Sequence, residues 1–118
     1  MKRDYRKIWL AFVQIKAEHG YSFNELIDLE IEKSKEQEYI GAWANLLIKA
    51  DSINDALKFI SLGLNERNFE TVFIDKIENL SSLVEYSEID EKVIKEANWL
   101  IDSSYVFIIS DKVFPYVE

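Results

Sequence analysis

Few residues of this 118-residue chain carry reactive side chains. The sequence contains one histidine, His19, and no cysteine. A single histidine excludes histidine dyads and multi-histidine metal sites, and the lack of cysteine excludes thiolate catalysis, disulfides and sulfur-based zinc sites. His19 precedes Gly20 at the end of a predicted helix, where a cationic ring favourably meets the helix dipole. We therefore expect a structural role for this histidine.

Motifs that bind phosphate or metal are also missing from the sequence. The three glycines, Gly20, Gly41 and Gly63, form neither the dinucleotide fingerprint nor the Walker pattern. There is no Glu-x-x-His motif, and Asp51–Asp55 lacks the glycine that a calcium loop requires. Carboxylates are plentiful, but nothing indicates a pocket that would turn two of them into an acid–base pair. We expect no cofactor, no metal and no enzymatic activity.

The charge balance points to a particular class of partner. The net charge is −8, from 22 acidic and 14 basic residues. Such a protein repels phosphate backbones and anionic lipids, so we expect a protein partner with a basic surface, no nucleic acid and no membrane. No segment reaches the roughly 18 apolar residues of a membrane span, and no signal peptide is evident. We therefore expect a cytoplasmic protein, whose oligomeric state stays open.

Acidic side chains are concentrated in one segment of the chain. Between Ile77 and Glu91 there are five acidic residues and no basic one. A tyrosine among these carboxylates suits a protein interface, as a rigid aromatic anchor with a charged rim. Alternatively, the carboxylates only favour a helix N-terminus through the helix dipole. The residues predicted to bind the partner are Glu78, Glu85, Tyr86, Glu88, Asp90 and Glu91.

The elements that position these residues are predicted to be helices. Few glycines and one proline, Pro115, favour long helices, and no linker divides the chain. The sequence therefore predicts an all-α single domain over residues 1–118, a bundle of about five to six helices. The first helix runs from about Arg3 to Glu18, with apolar residues three and four apart, and ends where Gly20 takes a left-handed conformation.

The middle of the chain contains two further helix signals. Ser22-Phe23-Asn24-Glu25 has the capping-box pattern and predicts a second helix. The polar stretch Glu32–Glu38 precedes a third helix that begins near Tyr39, and whether residues 22–50 form one helix or two stays open. Ser52 then caps a short helix that ends near Asn65. Asn68 caps the next one, whose apolar residues at helical spacing are Val72, Phe73, Ile77, Leu80 and Val84.

The last predicted helix opens at the cap signal Ser87–Asp90 and extends through Ile108. The tail over residues 105–116 is either helical or a β-hairpin through Ser110-Asp111-Lys112, because its composition favours strands. Ala44-Asn45-Leu46-Leu47-Ile48 is similar to Ala97-Asn98-Trp99-Leu100-Ile101, as two related helical hairpins would be. The three tryptophans, Trp9, Trp43 and Trp99, are expected in the core.

In overall character the chain resembles the small helical immunity proteins of contact-dependent growth inhibition and polymorphic toxin systems. The resemblance rests on the cysteine-free length, the Ala42–Ile48 segment and the acidic turn Val84–Glu91. It implies a protein that binds and blocks a basic toxin domain, for instance a nuclease, by electrostatic and steric occlusion.

Three other functions stay open at this point. The main alternative is a non-catalytic helical adaptor that binds a peptide or protein partner and exposes an apolar strip. The others are a nucleic-acid mimic and an enzyme or small-ligand binder.

Overall fold

The computed structural model describes residues 4–23 and 39–116, and its main element is an antiparallel β-sheet with helices on both faces. The all-α prediction is therefore wrong. The described strands are β1 (Ile8–Ala17), β2 (Gly41–Lys49), β3 (Phe69–Asn79) and β4 (Phe107–Tyr116). The described helices are α1 (Ile53–Glu66), α2 (Leu80–Glu85) and α3 (Glu91–Asp102).

The four strands lie in the order β3-β1-β2-β4, and each neighbouring pair is antiparallel. As a result β2 and β3 run in the same direction on either side of β1, joined through α1 in a split β–α–β arrangement. The chain then crosses from the β3 edge to the β4 edge through α2 and α3. This connection places α2 and α3 on the opposite face of the sheet from α1.

The sheet has an inner face, packed against α1, and an outer face, packed in part against α2 and α3. The inner face contributes alternate residues of β1 and β2, which meet Ala56, Ile60 and Leu64 of α1. On the outer face Ile8 and Leu47 pack against α2 and α3, whose contributions are Leu80, Leu83, Ala97 and Leu100. Strands covered on both faces bury apolar residues at consecutive positions.

That double coverage explains why the predictions for β1 and β2 are wrong. The helix predicted from Arg3 to Glu18 is strand β1, and the helix predicted near Tyr39 is strand β2. In β2, Leu46, Leu47 and Ile48 are all buried, on alternating faces. A continuous apolar run satisfies the helical period as well as the strand period, so spacing alone cannot distinguish the two.

Two β-bulges explain the third error, the helix predicted after Asn68, which is helical only at its end, where Leu80 and Val84 lie in α2. The ladder between β1 and β3 shifts register at two points, leaving Val72 and Asp75 without a partner on β1. The inward-facing residues of β3 are therefore spaced by three at each bulge, which imitates a helix. Asn68 itself takes a left-handed conformation, with φ of 66°, between α1 and β3.

The C-terminal prediction is correct in its first half and wrong in its second. The predicted helix is confirmed as α3, but it ends at Asp102. Residues 107–116 form neither a helix nor a hairpin. They form a single edge strand whose pairing with β2 shifts register next to Asn45. The helical repeat is also wrong, because Ala44–Ile48 lies in β2 while Ala97–Ile101 lies in α3.

The helix predicted after Ser52 is confirmed. The Ser52 side chain accepts a hydrogen bond from the Asp55 backbone N–H at 3.1 Å, which caps α1. Gly20 has the expected left-handed conformation, with φ of 92°. The second predicted helix and the polar stretch after it fall on residues 24–38, outside the described residues, apart from the buried Phe23.

One lysine joins the sheet to α3. The Lys49 ammonium group, at the end of β2, donates hydrogen bonds to the carbonyls of Leu100 at 2.9 Å and Ser103 at 2.7 Å. These carbonyls lie at the C-terminus of α3, where the helix dipole favours a positive charge. Lys49 therefore fixes the end of α3 over the outer face.

Candidate functional site

Helices α2 and α3 cover only one end of the outer face. They pack at the end where β1 begins, over the row that contains Leu10, Leu47 and Ile108. Further along the sheet the outer face carries aromatic side chains, and none of them belongs to either core cluster of the described residues. We call this surface the aromatic face, and define it by Phe12, Trp43, Phe73 and Phe114.

The strand register brings the four rings together. Residues paired across an antiparallel ladder share a face of the sheet. Trp43 pairs with Phe114 on β4, and Gln14 lies between Trp43 and Phe73. The register shift that leaves out Val72 is what aligns Phe73 with Gln14. Bulges re-aim side chains in this way near functional surfaces.

The rings contact one another in a defined geometry. Phe12 and Trp43 are stacked, with centroids 5.3 Å apart and planes inclined by 15°. Phe114 meets Phe12 edge-on at 6.3 Å, and Phe73 meets Trp43 edge-on at 6.4 Å. One face of each central ring therefore lies against the other central ring, and each outer ring is steeply inclined to the central ring that it contacts.

The aromatic face is open to solvent despite these contacts. Phe73 is 54% exposed and Phe114 is 46% exposed, while Phe12 and Trp43 are half-buried. Single exposed apolar residues need no explanation, but a contiguous apolar patch marks an interaction surface. The prediction that Trp43 lies in the core is wrong for this reason. Trp99 is 53% exposed, so its assignment to the core is wrong as well.

Charged side chains on the aromatic face are arranged in pairs. Lys16 and Glu70 form an ion pair of 3.6 Å, and Lys76 and Glu78 form another of 3.6 Å. All four side chains project from β1 or β3 on the outer face. Both lysines are therefore balanced by neighbouring carboxylates.

Two of the predicted partner-binding residues border this face. Glu78 and Glu88 line a pocket of about 300 Å³ together with Phe12, Asn45 and Lys76. The pocket lies where the loop after α2 meets the open part of the sheet. The acidic segment predicted from the sequence is thus continuous with the aromatic face at these two glutamates.

Two other predicted residues lie away from the aromatic face. Glu85 lines a separate pocket with Asp4 and Arg6, near the start of the described chain. Tyr86 is the C-cap of α2 and is 70% exposed. Nothing places their side chains against the four rings, so the structure divides the predicted set between two sides of α2.

The last two predicted residues begin a helix. Asp90 is the N-cap of α3, and its side chain accepts a hydrogen bond from the Lys92 backbone N–H at 3.0 Å. Glu91 occupies the first turn, where negative charge is favourable. For Asp90, the alternative that these carboxylates only favour a helix N-terminus therefore holds, since its carboxylate accepts a hydrogen bond from a free backbone N–H.

The turn that holds Glu88 has a fixed backbone geometry. The Glu88 N–H donates to the Leu83 carbonyl at 2.8 Å, and the Ser87 N–H donates to the Val84 carbonyl at 3.1 Å. Ser87 itself is left-handed, with φ of 56°. This is the Schellman arrangement, in which glycine is the usual residue at the left-handed position.

Asp4 is a carboxylate with a clearly displaced pKa. Hydrogen bonds from the Arg6 side chain and backbone, at 2.8–2.9 Å, lower the pKa of Asp4 to about 2. The same contact raises the pKa of the Arg6 guanidinium. Both side chains are exposed, so this is a local surface interaction rather than a buried catalytic one.

Metal-binding arrangements are not found in the described part of the chain. No group of three or more histidine, aspartate or glutamate side chains there has the geometry to hold a metal ion. His19 and Ser22 line one pocket, but both are exposed and lack the enclosed surroundings of catalytic groups. Within residues 4–23 and 39–116, no helix is long and apolar enough to cross a membrane.

The aromatic face was missed because its residues were assigned to helices. With β1 correctly assigned, the alternation Phe12-Val13-Gln14-Ile15-Lys16 would have shown a polar outer side interrupted by a ring. No comparable signal exists for Phe73, whose position depends on a bulge.

Comparisons with protein-family models, with curated proteins and with solved structures return no match for this chain.

Proposed function

We propose that this protein is a non-catalytic binding module that docks another protein on its aromatic face. The observation that carries this proposal is the contiguous cluster of four rings, with Phe73 54% and Phe114 46% exposed. Aromatic side chains at the centre of an interface contribute much of its binding energy. Their exposure is explained if a partner covers them.

The ring geometry supports a protein partner over a nucleobase or a sugar. A base or a sugar stacks on the free face of a ring. In the aromatic face, Phe12 and Trp43 each have one ring face covered by the other, which leaves less ring face open to a base or a sugar. Such a surface suits interdigitating apolar side chains. The net charge of −8 also opposes nucleic acid.

For the biological role we propose an immunity protein that blocks a basic toxin domain in the cytoplasm. Charge supports this role, because an acidic inhibitor associates quickly with a basic cleft. The helical resemblance no longer supports it, since the fold is built on a sheet. The exposed apolar strip expected for an adaptor is present, but on strands instead of helices.

The proposal is tested by comparing variants of the aromatic face in a binding experiment. Lysate of the source organism is passed over immobilised wild-type protein, over F73S/F114S and over the matched control L62S/V106S. Leu62 is 49% exposed and Val106 42% exposed, away from the aromatic face. We expect one protein that wild type and control retain equally and F73S/F114S retains at least about tenfold less.

A partner that all three proteins retain equally would contradict the proposal. Thermal unfolding of each variant serves as the control for folding. The substituted residues are solvent-exposed, so the three transitions should lie close together.

A further inference from the structure

We infer that the surface covering the aromatic face is an apolar patch fringed by lysine or arginine on a different protein, and not a second copy of this chain. This inference rests on the proposed function, because it names the chemistry of the partner for the same face. It is drawn from the charges that border the rings.

The margin of the aromatic face is negative. Its two lysines are balanced by ion pairs of 3.6 Å, Lys16 with Glu70 and Lys76 with Glu78. Glu88 adds a further carboxylate next to Phe12. Beyond it, Asp90 and Glu91 lie at the start of α3. The potential over this side of the sheet therefore favours a cation.

A second copy of the chain would bring an identical margin. A two-fold axis through the aromatic face places the same surface on both subunits. The two chains, each with a net charge of −8, would then approach with apolar rings in contact and carboxylates close together. Like charges across an interface oppose association, so a second copy is a poor occupant.

The pocket lined by Glu78 and Glu88 sets the orientation of the partner. Its lining includes the Phe12 ring, the Asn45 side chain and Lys76. Lys76 pairs with Glu78, which leaves Glu88 as the lining carboxylate that forms no ion pair among the described residues. Arginine and lysine combine an apolar stem with a cation that interacts with both carboxylates and rings. The basic fringe of the partner should lie on this side, and its apolar part over Trp43, Phe73 and Phe114.

The test uses a random peptide library displayed on phage and selected against the full-length wild-type protein. Clones that also bind F73S/F114S are removed by counter-selection. We expect the remaining peptides to combine apolar residues with lysine or arginine. Synthetic copies should bind E78Q and E88Q at least about fivefold more weakly, mainly through slower association, and should lose affinity as salt is raised. E85Q, on the other side of α2, is the matched control and should bind as wild type.

The other possible results of the selection distinguish a failure of this inference from a failure of the proposed function. Selected peptides that depend on Phe73 and Phe114 but are neutral or acidic would overturn the inference and leave the proposed function standing. A library without any sequence that depends on the two phenylalanines would count against the proposed function itself. Sedimentation at high protein concentration completes the test, since a dimer formed by wild type and not by F73S/F114S would identify a second copy as the occupant.

Discussion

At the scale of single residues, Ser87 holds a backbone conformation that suits glycine. Its φ of 56° is left-handed, and non-glycine residues in that region carry a cost of about 1 kcal/mol. We expect S87G to raise the free energy of unfolding by up to about 1 kcal/mol, as measured by urea denaturation. The Schellman hydrogen bonds of Ser87 and Glu88 use backbone atoms, so the substitution leaves them in place.

The same substitution in a helix is the control for Ser87. Ser61 is an exposed residue within α1. Glycine in a helix interior is destabilising, so S61G should lower the free energy of unfolding by about 0.5 kcal/mol. If both variants were destabilised alike, the left-handed conformation of Ser87 would be contradicted.

The exposed pair of Asp4 and Arg6 gives a prediction for acid titration. Because hydrogen bonds from Arg6 lower the pKa of Asp4 from 3.8 to about 2, the stabilisation that this pair provides is present above pH 3.8 and disappears as the pH falls toward 2. Carboxyl chemical shifts followed by NMR should show the lowered pKa. In R6A the pKa of Asp4 should return toward 3.8, and an unchanged value would refute the assigned cause.

At the scale of secondary structure, Lys49 should be important for α3. Its ammonium group satisfies the carbonyls of Leu100 and Ser103, and K49M keeps an apolar stem but removes both hydrogen bonds. We expect a loss of about 2 kcal/mol in the free energy of unfolding. The exposed Lys58 of α1 supplies the control, since K58M should change stability by less than about 0.5 kcal/mol.

Helices α1 and α3 could be predicted from the sequence, whereas the strands could not. The signals at Ser52 and at Ser87–Asp90 are local, because a side chain caps backbone groups two or three residues away. Both predicted helices are present, the second with Asp90 as its cap. The strands depend on distant packing. Leu46, Leu47 and Ile48 are buried on two faces by segments remote in sequence, which removes the alternation that marks a strand.

The two similar pentapeptides show how far local sequence determines structure here. Ala44-Asn45-Leu46-Leu47-Ile48 forms a central strand, while Ala97-Asn98-Trp99-Leu100-Ile101 forms a helix. The helical copy follows an N-cap at Asp90, and the strand copy lies between β1 and β4. Neighbouring strands override the intrinsic preference of the segment.

At the scale of the whole molecule, stability and binding should be separable on the two faces of the sheet. Leu46 is buried beneath α1, whereas Trp43 lies on the aromatic face. L46A should cost about 2–5 kcal/mol in the free energy of unfolding. W43A should cost less than L46A, because the Trp43 ring is only partly buried, yet it should weaken binding of the selected peptides at least about tenfold.

Denaturation and peptide titration of both variants check this separation. Equal loss of stability in W43A and L46A would contradict it, as would peptide binding that L46A loses and W43A keeps. Glu78 and Glu88 of the candidate site were among the six residues predicted from the cluster of carboxylates in the sequence, since charge does not depend on the fold. The four aromatic residues could not be predicted as a site, because their rings come together only through the pairing register of the four strands.

The two bulges of β3 also bear on how the protein avoids aggregation. An edge strand offers unpaired backbone groups to which other chains add, and a flat apolar edge promotes fibrils. On β3 this edge is interrupted at Val72 and Asp75, and on β4 it contains Pro115. Neither edge therefore offers a long, regular template. The molecule can carry an exposed aromatic surface without sheets extending from one copy to the next, and any association is directed to the faces of the sheet.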